Sequence, residues 1–147
     1  MYGSEREAGA VVKGSIGALL GALVGALPWI IIYAMGYISG YAAAFISITA
    51  RIGYTLLRGG KGKAAYVIVI LASIIGLALG LLGTISMDIV INHETGLKGS
   101  LSLFVDLMNN HAAFRRDVIL NTILGTVFMA AGLIYTLVEI RGQSKNN

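Results

Sequence analysis

Four apolar stretches, over about residues 14–33, 37–57, 64–84 and 118–140, dominate the chain. Only short polar or glycine-rich breaks separate the first three, and one long polar interval, about 92–117, precedes the fourth. Each stretch approaches the ~20 residues that a helix needs to cross a hydrocarbon core of ~30 Å. The pattern therefore predicts an all-α integral membrane protein: four transmembrane helices in an antiparallel bundle, forming one membrane domain over residues 1–147. The break Ala34, Met35, Gly36 leaves room only for a tight reversal, so the first two helices should be neighbours. In the polar interval, Leu97, Leu101, Phe104, Val105, Met108 and Ala112 recur at helical spacing. They predict a short amphipathic helical segment at the membrane surface between the third and fourth spans.

Within the first stretch, Gly17, Gly21 and Gly25, with Ala18, Ala22 and Ala26, fall four residues apart on one face. That face carries almost no side chain. In lipid, apolar burial does not drive helices together and close backbone packing does, so the stripe reads as a packing spine, a glycine zipper. Gly36 with Gly40, and Gly76 with Gly80, repeat the spacing in the second and third stretches. Gly125, Ala131 and Gly132 put small residues in the fourth.

Pro28 lies near the end of the first stretch and should kink the helix or end its regular part. Trp29, Tyr33, Tyr37 and Tyr41 gather around the following reversal, where amphipathic rings favour the headgroup level; an aromatic ligand cage is the rival reading, and no acid lies among them. Tyr54 and Tyr66 make a second pair around the next turn.

Composition agrees with a lipid environment. Hydrophobic residues make up 56% and charged residues 12% of 147, against about 25% charged in soluble domains. Cysteine is absent, which excludes disulfides, thiolate metal sites and cysteine nucleophiles. The net charge of +4 comes from basic residues beside apolar segments, which are topology signals and not a nucleic-acid footprint. Arg6, Lys13, Arg51, Arg58, Lys61, Lys63, Arg141 and Lys145 fall on one predicted side, and Lys98, Arg115 and Arg116 on the other. Eight against three places both termini in the cytoplasm and residues 92–117 outside. The first apolar run outlasts the roughly 7–15 residues of a signal-peptide core, so Met1–Lys13 reads as a frayed or interfacial lead-in. Tyr2 in place of glycine excludes myristoylation.

Candidate chemistry is sparse. Arg51 is the one charge inside the second stretch; it either snorkels to the interface or pairs inside with Glu139, expected at similar depth in the fourth. Asn121 in the fourth is expected to hydrogen-bond across helices. Arg58-Gly59-Gly60-Lys61-Gly62-Lys63 lacks the first glycine and the Ser/Thr of a phosphate-binding loop. It reads instead as a cytoplasmic turn in which Arg58, Lys61 and Lys63 meet anionic lipid headgroups. His93, Glu94, Asp106, His111 and Asp117 match no metal-ligand spacing and read as a solvated polar loop. No catalytic residue, cofactor or metal is predicted.

The run Gly17-Ala18-Leu19-Leu20-Gly21-Ala22-Leu23-Val24-Gly25-Ala26, then Tyr33 with Gly36-Tyr37-Ile38, then Gly53-Tyr54 with Leu56 and Gly59-Gly60-Lys61, resembles a group of small uncharacterised polytopic membrane proteins of Gram-positive bacteria. Some members look like zinc-ribbon proteins with a similar membrane region; this chain has no cysteine for a ribbon, and Pro28 departs from the group's pattern. The likeness covers roughly the first half and weakens after Gly80. It implies a bacterial plasma-membrane location and no particular activity. The expectation is a non-enzymatic structural or interaction protein of the cell envelope. Its partners are membrane lipids and either a second copy or another membrane protein. The alternative is a small transporter or channel subunit using Arg51, Asn121 and Glu139.

Overall fold

The computed structural model describes residues 2–35, 40–60, 63–93 and 100–145, with side-chain surroundings over 5–35, 40–60, 63–87 and 102–138. Every regular element among them is helical: α1 (Tyr2–Ala34), a 3₁₀ turn (Gly40–Ala43) leading into α2 (Ala44–Leu56), α3 (Lys63–His93), α4 (Ser100–Asn110) and α5 (Ala112–Lys145). Among the described residues three helices are long and apolar enough to cross a membrane, over Glu5–Ala34, Lys63–Met87 and Ala112–Val138. The second apolar stretch, expected over about 37–57, is helical over 40–56, and residues 37–39 lie outside the described ones. Among the described residues its helical part is the 3₁₀ turn plus the 13 residues of α2.

α1 begins well before the expected lead-in ends, and Glu5 in its first turn suits the positive end of the helix dipole. Its 33 residues make a rod of about 50 Å, longer than a hydrocarbon core is thick. Pro28 does not end it. The helix resumes to Ala34, with the exposed proline depriving only the Val24 carbonyl of its usual partner.

Contacts at the glycines fix the helix directions. A Cβ added at Gly17 would strike the Gly53 carbonyl, at Gly21 the Thr49 carbonyl, and at Gly25 the Ile46 Cα at 2.8 Å, so α2 runs opposite to α1. A Cβ at Gly76 would meet Ala22 and Ile46, and one at Gly80 would meet Trp29 and Ala26, so α3 runs alongside α1 in the same direction. Gly40 abuts Leu124, and Gly132 approaches the Ala44 carbonyl, so α5 follows α2. α1 packs mainly on α2 and α3; α5 packs on α2, the 3₁₀ turn and α3, and makes little direct contact with α1.

The interior is built from small side chains. Ala18, Ala22, Ala26, Ala42, Ala43, Ala50 and Ala72 are buried, with Trp29, Ile46 and Val69 the largest apolar groups fully enclosed. Large side chains face outward: Leu20, Val24 and Leu27 on α1, Val67, Leu71 and Leu82 on α3, and Val127, Ile134 and Val138 on α5 are all more than half exposed. A water-soluble fold would reverse this arrangement, whereas lipid is as apolar as leucine and leaves close approach of backbones as the source of cohesion. The inverted pattern and the three long apolar helices together fit a membrane protein.

α4 forms inside the interval where a short amphipathic helix is expected, but its inward face differs. Leu107 is buried and Leu103, Phe104 and Met108 are half-buried, while Val105 is exposed because it lies off that i, i+3, i+4 stripe. Phe104 and Phe114 meet edge to face with centroids 6.1 Å apart, tying α4 to the start of α5.

Polar groups inside the helix interface

α1 presents a face with two edges. Gly17, Gly21 and Gly25 receive α2, and Ala22 and Ala26 receive α3. Gly17 and Gly53 are reciprocal, since a Cβ on either would strike the other's carbonyl. Gly53 carries no four-residue glycine spacing, so the pattern that marks Gly17 does not reveal it. Gly132 has a weak signal, falling seven residues after Gly125 on the same side of α5. Ala131, grouped with them in the sequence, points outward. Gly36 lies outside the described residues.

Gly80 and Gly125 serve a different purpose from helix-to-helix approach. A Cβ at Gly80 would lie 2.9 Å from Trp29 Cε3, and one at Gly125 would lie 2.7 Å from Trp29 Cη2. The indole fills the space between them and is fully buried. This corrects the expected place of Trp29 in a headgroup belt: two glycines on other helices make a slot for it. Tyr41 does face outward, and Tyr37 lies outside the described residues.

Tyr54 is likewise inside. Its ring is packed by Gly14 and Gly59, and its hydroxyl donates to the Gly60 carbonyl at 2.7 Å. The end of α2 is closed by two backbone bonds, Arg58 N–H to Thr55 O and Gly59 N–H to Tyr54 O, both 3.0 Å. This double closure puts Arg58 at φ 55°, the left-handed position that helices usually give to glycine. Arg58 and Lys63 are exposed on either side of the turn, and Lys61 lies outside the described residues.

Arg51 does not snorkel outward. It is 8% exposed and its guanidinium donates to the Thr136 carbonyl of α5 at 2.8 Å. One turn away on α2, the Ser47 hydroxyl donates to the Met129 carbonyl at 3.2 Å. Both are side-chain donors that hold α2 to the backbone of α5. Glu139 follows Thr136 by three residues on α5, and its side chain lies outside the described ones. The buried hydroxyls of Ser73, Thr84 and Thr136 donate to carbonyls of their own helices, at Val69, Leu81 and Gly132, each at 2.8 Å.

Asn121, Gly125, Met129, Gly132 and Thr136 form the buried stripe of α5. Asn121 is thus inward-facing, but its Oδ1 is closed to solvent and has no hydrogen-bond partner among the described residues; the same holds for Trp29 Nε1. Fifteen residues separate Asn121 from Thr136, about 22 Å along the helix. The structure therefore does not bring Asn121 and Arg51 together. Buried Met129, Trp29, Ile46 and Val69 belong to the apolar cluster that fills the interior.

On α4 and the first turns of α5, Asp106 accepts a bond from Asn110 Nδ2 at 2.6 Å, and Asp117 lies 3.7 Å from Arg116, both at exposed sites. Among the described residues no three metal-capable side chains gather. The side chains of His93 and Glu94 lie outside them. No known family model matches the chain, and no curated protein or solved structure is detectably similar to it.

Proposed function

We propose that the chain is a structural or interaction protein of a bacterial plasma membrane, without catalytic activity. It crosses the bilayer four times as an antiparallel bundle, with α2 and its leading 3₁₀ turn as the short second span. Both termini and the α2–α3 turn are cytoplasmic, by the excess of basic residues on that side, and α4 is extracytoplasmic. The glycine zipper of α1 is internal, because α2 of the same chain occupies it. Contacts with a second copy or a partner protein then fall to the outward apolar faces, and Arg58, Lys61 and Lys63 hold anionic headgroups.

The observation that carries this reading is the use made of the interior donors. Arg51 and Ser47, the groups a transporter would offer to a solute, donate to carbonyls of α5. Along the buried stripe of α5, Gly125, Met129 and Gly132 lie between Asn121 and Thr136, whose carbonyl takes the Arg51 bond. A small transporter or channel subunit would need Arg51, Asn121 and Glu139 along one polar path.

Proteoliposomes containing the purified protein, tested for leakage of ions and small polar solutes, separate the two readings. The structural reading expects leakage equal to protein-free vesicles, and native mass spectrometry showing retained anionic phospholipid that is lost on joint Arg58→Gln, Lys61→Gln and Lys63→Gln replacement. Solute flux that Arg51→Leu abolishes without loss of stability would establish transport instead.

A further inference from the structure

Lys13 and Arg58 are two cations from different segments brought to one place without an acid. Arg58 holds φ 55°, a left-handed backbone that glycine adopts freely and arginine only with strain, although Gly59 and Gly60 follow it directly. Strain of this kind persists where the side chain is needed, and Arg58 is exposed, so packing does not explain the choice. A Cβ at Gly14 would lie 2.6 Å from Gly59 Cα, so α1 meets the turn one residue from Lys13 and one from Arg58. That approach and two Cα–Cα steps of about 3.8 Å leave the Lys13 and Arg58 Cα atoms at most about 12 Å apart, a span that two long exposed side chains close around one anion. Among the described residues neither has an acid within ion-pair distance. Glu7, the nearest acid to Lys13 along α1, lies about 9 Å farther down the helix and a third of a turn around it.

The pair stands at the mouth of an apolar seam. With 3.6 residues per turn, Lys13, Leu20 and Val24 form a row beside the Gly17, Gly21, Gly25 face, on the side away from Ala22 and Ala26, which receive α3. On α2, Ile52 and Leu56 form the matching row, on the side of Gly53 away from Ser47 and Arg51, which reach α5. Leu20, Val24, Ile52 and Leu56 are all exposed. Two apolar rows therefore border the outer side of the α1–α2 contact, and Lys13 and Arg58 close its end at the headgroup level. We infer that one anionic glycerophospholipid of the cytoplasmic leaflet binds here, its phosphate held between Lys13 and Arg58 and an acyl chain lying along the α1–α2 seam. Two cations with no acid beside them favour a headgroup without an ammonium, since nothing there would receive one. This inference rests on the orientation and headgroup binding proposed above, and it adds α1 to a site otherwise confined to the turn.

Full-length protein, stripped of lipid in detergent and titrated with phosphatidylglycerol, phosphatidylcholine or soluble glycerol phosphate, reports stoichiometry and affinity by native mass spectrometry. One phosphatidylglycerol should bind more tightly than phosphatidylcholine, and glycerol phosphate should not displace it. Lys13→Gln and Arg58→Gly should each weaken its binding about fivefold, the effect of one cation near a membrane surface. Lys13→Arg should bind like the parent. Arg58→Gly should unfold no more readily than the parent in lipid-free micelles, because glycine removes the left-handed strain, so its lost affinity is not a folding defect. Equal binding of the two lipids, displacement by glycerol phosphate, or parent affinity in Lys13→Gln overturns the site. If Lys13→Gln retains the lipid while joint Arg58→Gln, Lys61→Gln and Lys63→Gln replacement releases it, headgroup binding by the turn stands without the α1 seam. If neither change matters, both readings fall.

Discussion

Replacing Gly21 with alanine tests how α1 and α2 are held. The added methyl would strike the Thr49 carbonyl oxygen and lie 2.7 Å from its carbon and 3.1 Å from Ala50 Cα, where ordinary contact begins at 3.4 Å. All three atoms are backbone. No rotamer change can relieve them, so α2 must withdraw by at least 0.7 Å from 2.7 toward 3.4 Å, carrying its contacts at Gly17 and Gly25 with it. Overpacking of this kind costs about 1–3 kcal/mol. Alanine also favours the helix over glycine by about 1 kcal/mol, which partly conceals the loss. Gly9→Ala isolates that second effect, because Gly9 is exposed, lies in the same helix and would bring its methyl within 4 Å of nothing. Reversible unfolding in mixed micelles, followed by circular dichroism, should rank Gly9→Ala at or slightly above the parent and Gly21→Ala about 1–3 kcal/mol below Gly9→Ala. Equal stability of the two variants would refute the close α1–α2 contact.

Three further outcomes follow from the interior. Trp29→Ala should lose on the order of 2 kcal/mol in the same assay, the cavity and contact part of a buried-aromatic truncation, since unfolding in lipid does not carry the ring into water; a change near zero would return Trp29 to the headgroup belt. Arg58→Gly should exceed Arg58→Ala by about 1 kcal/mol, because both remove the charge and only glycine removes the left-handed strain; equal values would deny the observed helix end. If Glu139 compensates Arg51 one turn beyond Thr136, Arg51→Leu and Glu139→Leu should each destabilise and the double variant should fall short of their sum by about 0.5–3 kcal/mol; strict additivity would dismiss the pair.

Helical class and the α1 packing face were readable because they depend on period alone: Gly17, Gly21 and Gly25 recur every four residues, and three stretches reach spanning length. What receives that face was not readable. Gly53 stands alone in its helix, and its match with Gly17 exists only once the two helices cross. Trp29 shows the same limit. Its amphipathic ring suggests the interface, and only the coincidence of Gly80 and Gly125 on two other helices makes an interior slot large enough for it. The backbone detail of the second stretch was not legible: an apolar run does not reveal the 3₁₀ turn at Gly40–Ala43 or the left-handed backbone at Arg58. For Arg51 the sequence offered a path outward along its own stem or inward to an acid, and not the inward bond to the Thr136 carbonyl that the structure shows. The small residues Gly132 and Ala44 bring α5 close enough for that bond.

Single cysteines test the proposed four crossings with both ends in the cytoplasm most directly, because the protein has no cysteine of its own. Cysteines replacing Ser4, Gly62, Ser100 and Ser144 one at a time can be treated in intact cells with a thiol reagent that does not cross the membrane. Labelling is expected at Ser100→Cys alone, with the other three reacting only after lysis. Labelling of Gly62→Cys from outside would contradict it, as would Ser4→Cys and Ser144→Cys responding on opposite sides.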